Sequence, residues 1–207
     1  MEELIKKIEE LKNCQIKNLV ENRINEFKNI DKNSNNDLFQ EMCFCLLTAN
    51  FNAEKSINIQ NKIGKYFFTD SKEELSKKLK DCGHRFPNAR ADYIIESNKC
   101  KDKLNQIVKF HDKNAKREWI VNNVKGLGYK EASHFLRNIG FDDYAIIDFH
   151  IIDVLAHYKL IEKPKTITKK KYLEIENILK KIAEKTNLTL AELDLYLWYL
   201  ETGKILK

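Results

Sequence analysis

Apolar residues return at intervals of three and four along most of this chain, and the residues that interrupt helices are few and grouped. Leu4, Ile5, Ile8 and Leu11 form one stripe, and Leu38, Met42, Cys45, Leu46 and Ala49 another, the spacing of a helix that buries one face. Two prolines and six glycines serve 207 residues. Breaks are therefore expected at the polar run Asp31 to Asn36, at Gly83 to Pro87, at Gly126 to Gly128, at Gly140 to Asp143 and around Pro164. About ten helices result, with strands scarce, no repeat of fixed period and no low-complexity tract long enough to be a tail. A predominantly helical protein is expected, and the length suits one ordinary domain or two small lobes sharing a core.

Composition excludes more than it selects. No apolar run approaches the ~18 residues of a membrane span, and the opening MEELIKKIEELK alternates charges where a signal peptide would be apolar. The reading is a cytoplasmic protein without membrane contact. Cysteines 14, 43, 45, 82 and 100 are odd in number and lack CxxC spacing, so reduced core residues are expected and not disulfides or zinc. A net charge of +6 favours polyanions without naming one. The run KTITKKK around Thr168 reads as a solvated helix start, with phosphate contact as the alternative.

The stretch VKGLGYKEASHFLRNIG, Val124 to Gly140, is more specific. Gly126 and Gly128 allow a tight turn whose amides, with those of the next helix's first turn, point outward and can cradle a phosphate. Ala132, Phe135, Leu136 and Ile139 make an apolar face, which places Lys130, His134 and Arg137 on the opposite side. The plainer reading is an interhelical turn with a surface lysine. A cation in the first turn of a helix is opposed by the helix dipole, so its position asks for a reason. Asp148 follows eighteen residues later, after the apolar pair Ile146 and Ile147, where it can cap the next amphipathic helix.

Gly126, Leu127, Gly128, Tyr129, Lys130 and Asp148 resemble, in order and spacing, the helix-hairpin-helix DNA glycosylase superfamily. The wider wording GLGYKEASHFLRNIG, the earlier GHRFPNARADYI and a chain ending in lysine resemble its archaeal type-2 branch, the 8-oxoguanine DNA glycosylase/AP lyases. The resemblance implies two all-α lobes with a cleft between them: a central bundle over residues 35–140, and a second lobe of residues 1–34 and 141–207 carrying the aspartate and a C-terminal base-recognition helix. It implies a bifunctional enzyme, with double-stranded DNA containing oxidised guanine as partner, and we expect a monomer. Many relatives hold an iron-sulfur cluster on four cysteines beyond the aspartate. No cysteine follows Cys100 here, so no metal or other cofactor is expected.

In that chemistry the Lys130 amine attacks the sugar C1′ and forms a Schiff base. A free lysine has a pKa of roughly 10.4 and is scarcely ever neutral at pH 7. The helix N-terminus, which disfavours a cation, favours the uncharged nucleophile. Asp148 must stay ionised to stabilise positive charge at C1′. His134 and His150 are nearby candidates for a base in the strand-cleaving step, though structural roles rank above it.

Such an enzyme must extrude the damaged base and hold the gap. Arg85 and Phe86, on a loop before Pro87, suit a wedge and a contact to the orphaned base; Phe86 covering its own helix is the alternative. In LLTANFN the gap-filling amide would be Asn50, with Asn52 as second choice, unless either is only a helix C-cap. Thr189 and Glu192 read as a capping box opening the last helix, closed by Gly203. On it Asp194 and Trp198 share a face and match the family's acceptor and base-stacking aromatic, although a tryptophan there also suits a core. Oxidised guanine differs from guanine by a proton on N7, so discrimination needs an acceptor. The branch is thought to use the terminal carboxylate, here that of Lys207, where an unrelated protein would have a frayed tail. The rivals are a glycosylase for another oxidised or deaminated base, a non-catalytic DNA-binding module, and a helical interaction scaffold.

Overall fold

Twelve α-helices and one 3-10 turn account for the regular structure of the computed structural model, which describes residues 1–207. In chain order they are α1 (Glu2–Lys12), α2 (Ile16–Lys28), α3 (Asn35–Thr48), α4 (Ala53–Ile63), the 3-10 turn (Gly64–Phe68), α5 (Lys72–Asp81) and α6 (Pro87–Lys101), followed by α7 (Leu104–Ile107), α8 (Lys113–Asn123), α9 (Tyr129–Asn138), α10 (Phe149–His157), α11 (Lys169–Thr186) and α12 (Leu190–Thr202). The chain divides into two compact units, Ile30–Phe135 and the pair of segments Met1–Asn29 and Leu136–Lys207.

In the unit Ile30–Phe135 the central element is α3. Ser34 caps it by accepting from the Asp37 amide, and Leu38, Phe39 and every residue from Glu41 to Thr48 are buried. Helices α4, α6 and α7 and the 3-10 turn pack around it, and α5 packs on α6. Each such aliphatic or aromatic side chain contributes about 1.5–3 kcal/mol by leaving water. Helix α5 opens with a capping box of Ser71 and Glu74. Helix α6 opens with Pro87, where a missing N–H costs nothing because the first-turn amides have no partner inside the helix.

In the other unit α12 has the central place, against α2, α10, α11 and α1. Its capping box pairs Thr189 with Glu192, and Gly203 ends it at φ +72°, the left-handed conformation that glycine adopts at least cost. Ile16, Val20, Ile24 and Phe27 of α2 pack with Ala191, Leu195 and Tyr196 of α12.

Three expectations need correction. Ala132, Phe135 and Leu136 of α9 and Ile139 just after it are buried as their spacing predicts, but so are Ser133, His134, Arg137 and Asn138. Periodicity measures contrast between faces and is silent on what each face meets. Arg117 Nη1 donates to Ser133 Oγ at 3.2 Å, the Phe44 ring meets His134 edge-on at 5.8 Å, and Arg137 lies 3.6 Å from the Asp194 carboxylate and 4.5 Å from the Phe27 ring. Buried polar groups persist only when so accommodated. Second, the helices exceed ten because the breaks at Asn13 to Gln15 and at Asp102 to Lys103 carry no glycine or proline. Third, the cysteines are reduced, but Cys14 is exposed at the first of those breaks and Cys82 and Cys100 are only partly covered; Cys43 and Cys45 alone are core.

Candidate functional site

The hairpin ahead of α9 is fixed from below by Leu127, which is buried and donates to the Val124 carbonyl at 3.2 Å. Gly126 is required twice over: its φ is +90°, and a Cβ there would come within 2.5 Å of the Tyr93 ring. Gly128 meets neither condition. Its amide donates to Glu131 Oε2 at 3.3 Å, half of a capping box, so that N–H is held by the protein and does not point free as the sequence suggested. The other oxygen of Glu131 lies 3.8 Å from Lys130 Nζ, and the lysine side chain is 23% exposed. The cation in the second position of α9 thus has a carboxylate beside it. Glu131 is missing from the sequence-derived set, although a glutamate three residues after a helix-opening glycine was a readable signal.

Asp148 is the N-cap of α10, its Oδ1 accepting from the Ile151 amide at 3.0 Å. Phe149, the next residue, is 65% exposed. Its ring centroid lies 3.9 Å from that of His150, which in turn meets Trp198 edge-on at 4.4 Å. The first turn of the helix that Asp148 caps therefore reaches Trp198 of α12 through the His150 ring. His150 Nδ1 and Trp198 Nε1 are buried without a hydrogen-bond partner within the protein. One turn before Trp198, Asp194 is buried and faces Arg137. Beyond Gly203 the tail is not frayed: Ile205 packs on the α2–α12 core and Lys207 is partly buried.

In the unit Ile30–Phe135, Asn50 follows the end of α3 with φ +53° and is exposed. This is the place of a C-terminal asparagine, and its side chain is turned to solvent. Asn52 is a helix N-cap and not a C-cap, its Oδ1 accepting from the Lys55 amide at 2.9 Å. Arg85 is exposed and stacks 5.0 Å over the half-buried Phe86 ring. The lysines 169–171 are mostly exposed at the start of α11, after the N-cap Thr168.

A family model described as 8-oxoguanine DNA glycosylase matches residues 20–188. That span is most of the chain. The chain belongs to the 8-oxoguanine DNA glycosylase family. It is 55% identical to the 8-oxoguanine DNA glycosylase/AP lyase of Methanocaldococcus jannaschii, covering 99% of both chains, and 49% identical to that of Korarchaeum cryptofilum, covering 100% of this chain and 99% of the other. The crystal structure of the M. jannaschii 8-oxoguanine glycosylase/lyase in complex with a 15mer DNA containing 8-oxoguanine superposes with a TM-score of 0.96 at 55% identity, covering 99% of each chain. The fold is the all-helical helix-hairpin-helix glycosylase fold. No helix of this family member is long and apolar enough to cross a membrane.

The loop between α5 and α6 of this glycosylase-family chain also carries a buried histidine, for which the sequence shows no local signal. His84 is 4% exposed. Its Nδ1 accepts from the Phe86 amide at 3.0 Å, and Nε2 lies 3.1 Å from the Leu47 carbonyl, so the proton sits on Nε2 and the ring is neutral. Burial pushes its pKa below the ordinary histidine value, partly opposed by the Leu47 carbonyl. The folded state therefore binds fewer protons than the unfolded state at and below about pH 6.5, and this contribution to stability, full above that pH, is lost on acidification through the lowered folded value. Thermal melts should fall between neutral pH and about pH 5, and His84→Gln should flatten part of that fall; an unchanged pH profile in the variant would show that other groups carry it.

Proposed function

We propose that this chain excises 8-oxoguanine from double-stranded DNA and then cleaves the strand, both through a Schiff base on Lys130. The reading is carried by one observation: over 99% of its length the chain superposes on a glycosylase/lyase bound to DNA containing 8-oxoguanine. In the reaction the uncharged Lys130 amine forms a bond to C1′ as the C1′–N9 bond breaks, and the base leaves with a proton. The nitrogen then gives up a proton and its lone pair expels O4′, which takes up a proton as the sugar ring opens, leaving the protonated imine at C1′. Removal of a C2′ proton then breaks the C3′–O bond, and hydrolysis of the imine frees the enzyme. Asp148, ionised, stabilises the positive charge that develops at C1′.

Base recognition is assigned to Trp198 as the stacking surface, to the Lys207 carboxylate as acceptor for the N7 proton, and to Asp194 as a second acceptor held by Arg137. The anchoring of the tail through Ile205 supports this use of the terminus. The hairpin of Gly126 and Gly128 receives a backbone phosphate, which takes the Gly128 amide over from Glu131, and Arg85, Phe86 and Asn50 occupy the space the base leaves. Residues 35–140 are assigned the bundle that ends in the hairpin, and residues 1–34 with 141–207 the lobe that carries Asp148 and recognises the base. The enzyme works as a monomer in the cytoplasm.

The test is excision from duplexes that differ only in the lesion. 8-Oxoguanine should be released faster than uracil or an oxidised pyrimidine, and faster release of either would overturn the substrate assignment. A short extension beyond Lys207 removes the terminal carboxylate from its place. It should slow 8-oxoguanine excision by about tenfold or more, the worth of one hydrogen bond to a charged group, while cleavage of an existing abasic site stays near wild type. Equal loss on both substrates would contradict the role given to the terminus.

A further inference from the structure

The last carbonyls of α3 have no acceptor role left inside their helix, and in a buried setting each must find a donor. Cys45 accepts from Thr48 Oγ1 at 3.1 Å, and of the last three carbonyls, those of Leu47 and Thr48 of α3 and its C-cap Ala49, two take donors from far along the chain. Thr48 accepts from the nearby Phe51 amide at 3.0 Å. Leu47 accepts from His84 Nε2 at 3.1 Å, and Ala49 accepts from Arg90 Nη2. The His84 ring also lies 4.2 Å from that of Phe51, and its other nitrogen receives the Phe86 amide. Arg90 is 8% exposed, with its guanidinium 5.5 Å from the Phe86 ring centroid. Both side chains thus bridge the turn carrying Asn50 and the loop carrying Arg85 and Phe86. Neither is exposed enough to meet DNA as these two stretches can.

We infer that His84 and Arg90 are positioning residues which lock the Asn50 turn and the Arg85–Phe86 loop into one rigid unit, so that the wedge and the gap-filling amide enter a duplex together. The inference rests on the proposed function for what the two stretches do. The geometry explains why a neutral histidine is needed: one ring nitrogen must accept while the other donates, which neither an imidazolium nor an aliphatic side chain can do. It also explains why Arg90 is buried where lysine would normally be excluded: a planar guanidinium can reach the Ala49 carbonyl while lying near an aromatic ring.

The experiment compares wild type, His84→Ala, His84→Gln and Arg90→Met on three substrates: a duplex with paired 8-oxoguanine, a single strand bearing an abasic site, and a duplex with 2-aminopurine beside a lesion. The first is read as excision, the second as cleavage, the third as fluorescence on unstacking. His84→Ala and Arg90→Met should slow excision from the paired duplex by on the order of tenfold or more, as misplacement of a supporting group does, and abolish the fluorescence rise. Cleavage of the single strand should stay near wild type. His84→Gln, whose amide can still donate to the Leu47 carbonyl, should recover part of both losses. Equal losses on paired and single-stranded substrates, or a full fluorescence rise in His84→Ala, would overturn the inference. If wild type unstacks the duplex but releases no 8-oxoguanine, the proposed substrate fails and the locking is judged on fluorescence alone; no rise with wild type overturns the locking itself.

Discussion

Lys130→Gln loses base excision and strand cleavage together, by on the order of 10³-fold or more, because it removes the atom that bonds to C1′. The amide is close in size and keeps α9 intact. Binding to lesion-containing duplex should weaken little, since the hairpin amides and the Arg85–Phe86 loop remain. Stability should hold or rise slightly: a cation in the first turn of a helix is unfavourable by about 0.3–1 kcal/mol, and Glu131 at 3.8 Å offsets only part of this. A variant that is stable, binds DNA and neither excises nor cuts would separate catalysis from architecture. Parallel loss of melting temperature and activity would instead mean that Lys130 holds the hairpin together.

Asp148→Asn should lower excision by about 10²–10⁴-fold while leaving the melting temperature nearly unchanged. Asparagine caps a helix as well as aspartate does, so the bond to the Ile151 amide survives. What disappears is the negative charge. Asp148→Ala loses the cap as well, for about 1 kcal/mol of stability, and should be no slower than the asparagine variant. If alanine were far worse than asparagine in excision, the main work of this side chain would be capping and the electrostatic role would fall.

Much of the fold was readable because its causes are local. The capping box of Thr189 and Glu192, the stop at Gly203, Pro87 at the start of α6 and Asp148 at the start of α10 all depend on residues within one turn of each other. The candidate residues are legible for the same reason: a glycine turn, a lysine after it and a capping aspartate form a pattern along the chain. What could not be read depends on partners distant in sequence. The polar side of α9 looks solvent-facing until Arg117 meets Ser133 and Arg137 meets Asp194. His84 reads as one more loop residue because its acceptor, Leu47, is 37 positions away. The break at Cys14 has no glycine or proline to announce it. The Gly128 amide reads as free from the glycine turn alone, but Glu131, three residues on, folds back to accept from it.

The most direct measurement is covalent capture. Wild-type protein is mixed with 8-oxoguanine duplex, reduced with borohydride and digested, and the modified peptide is located by mass spectrometry. A single sugar adduct on the peptide containing Lys130, absent in Lys130→Gln, is the predicted result. An adduct on another lysine, or strand cleavage with no adduct at all, would contradict the Schiff-base chemistry assigned to this side chain.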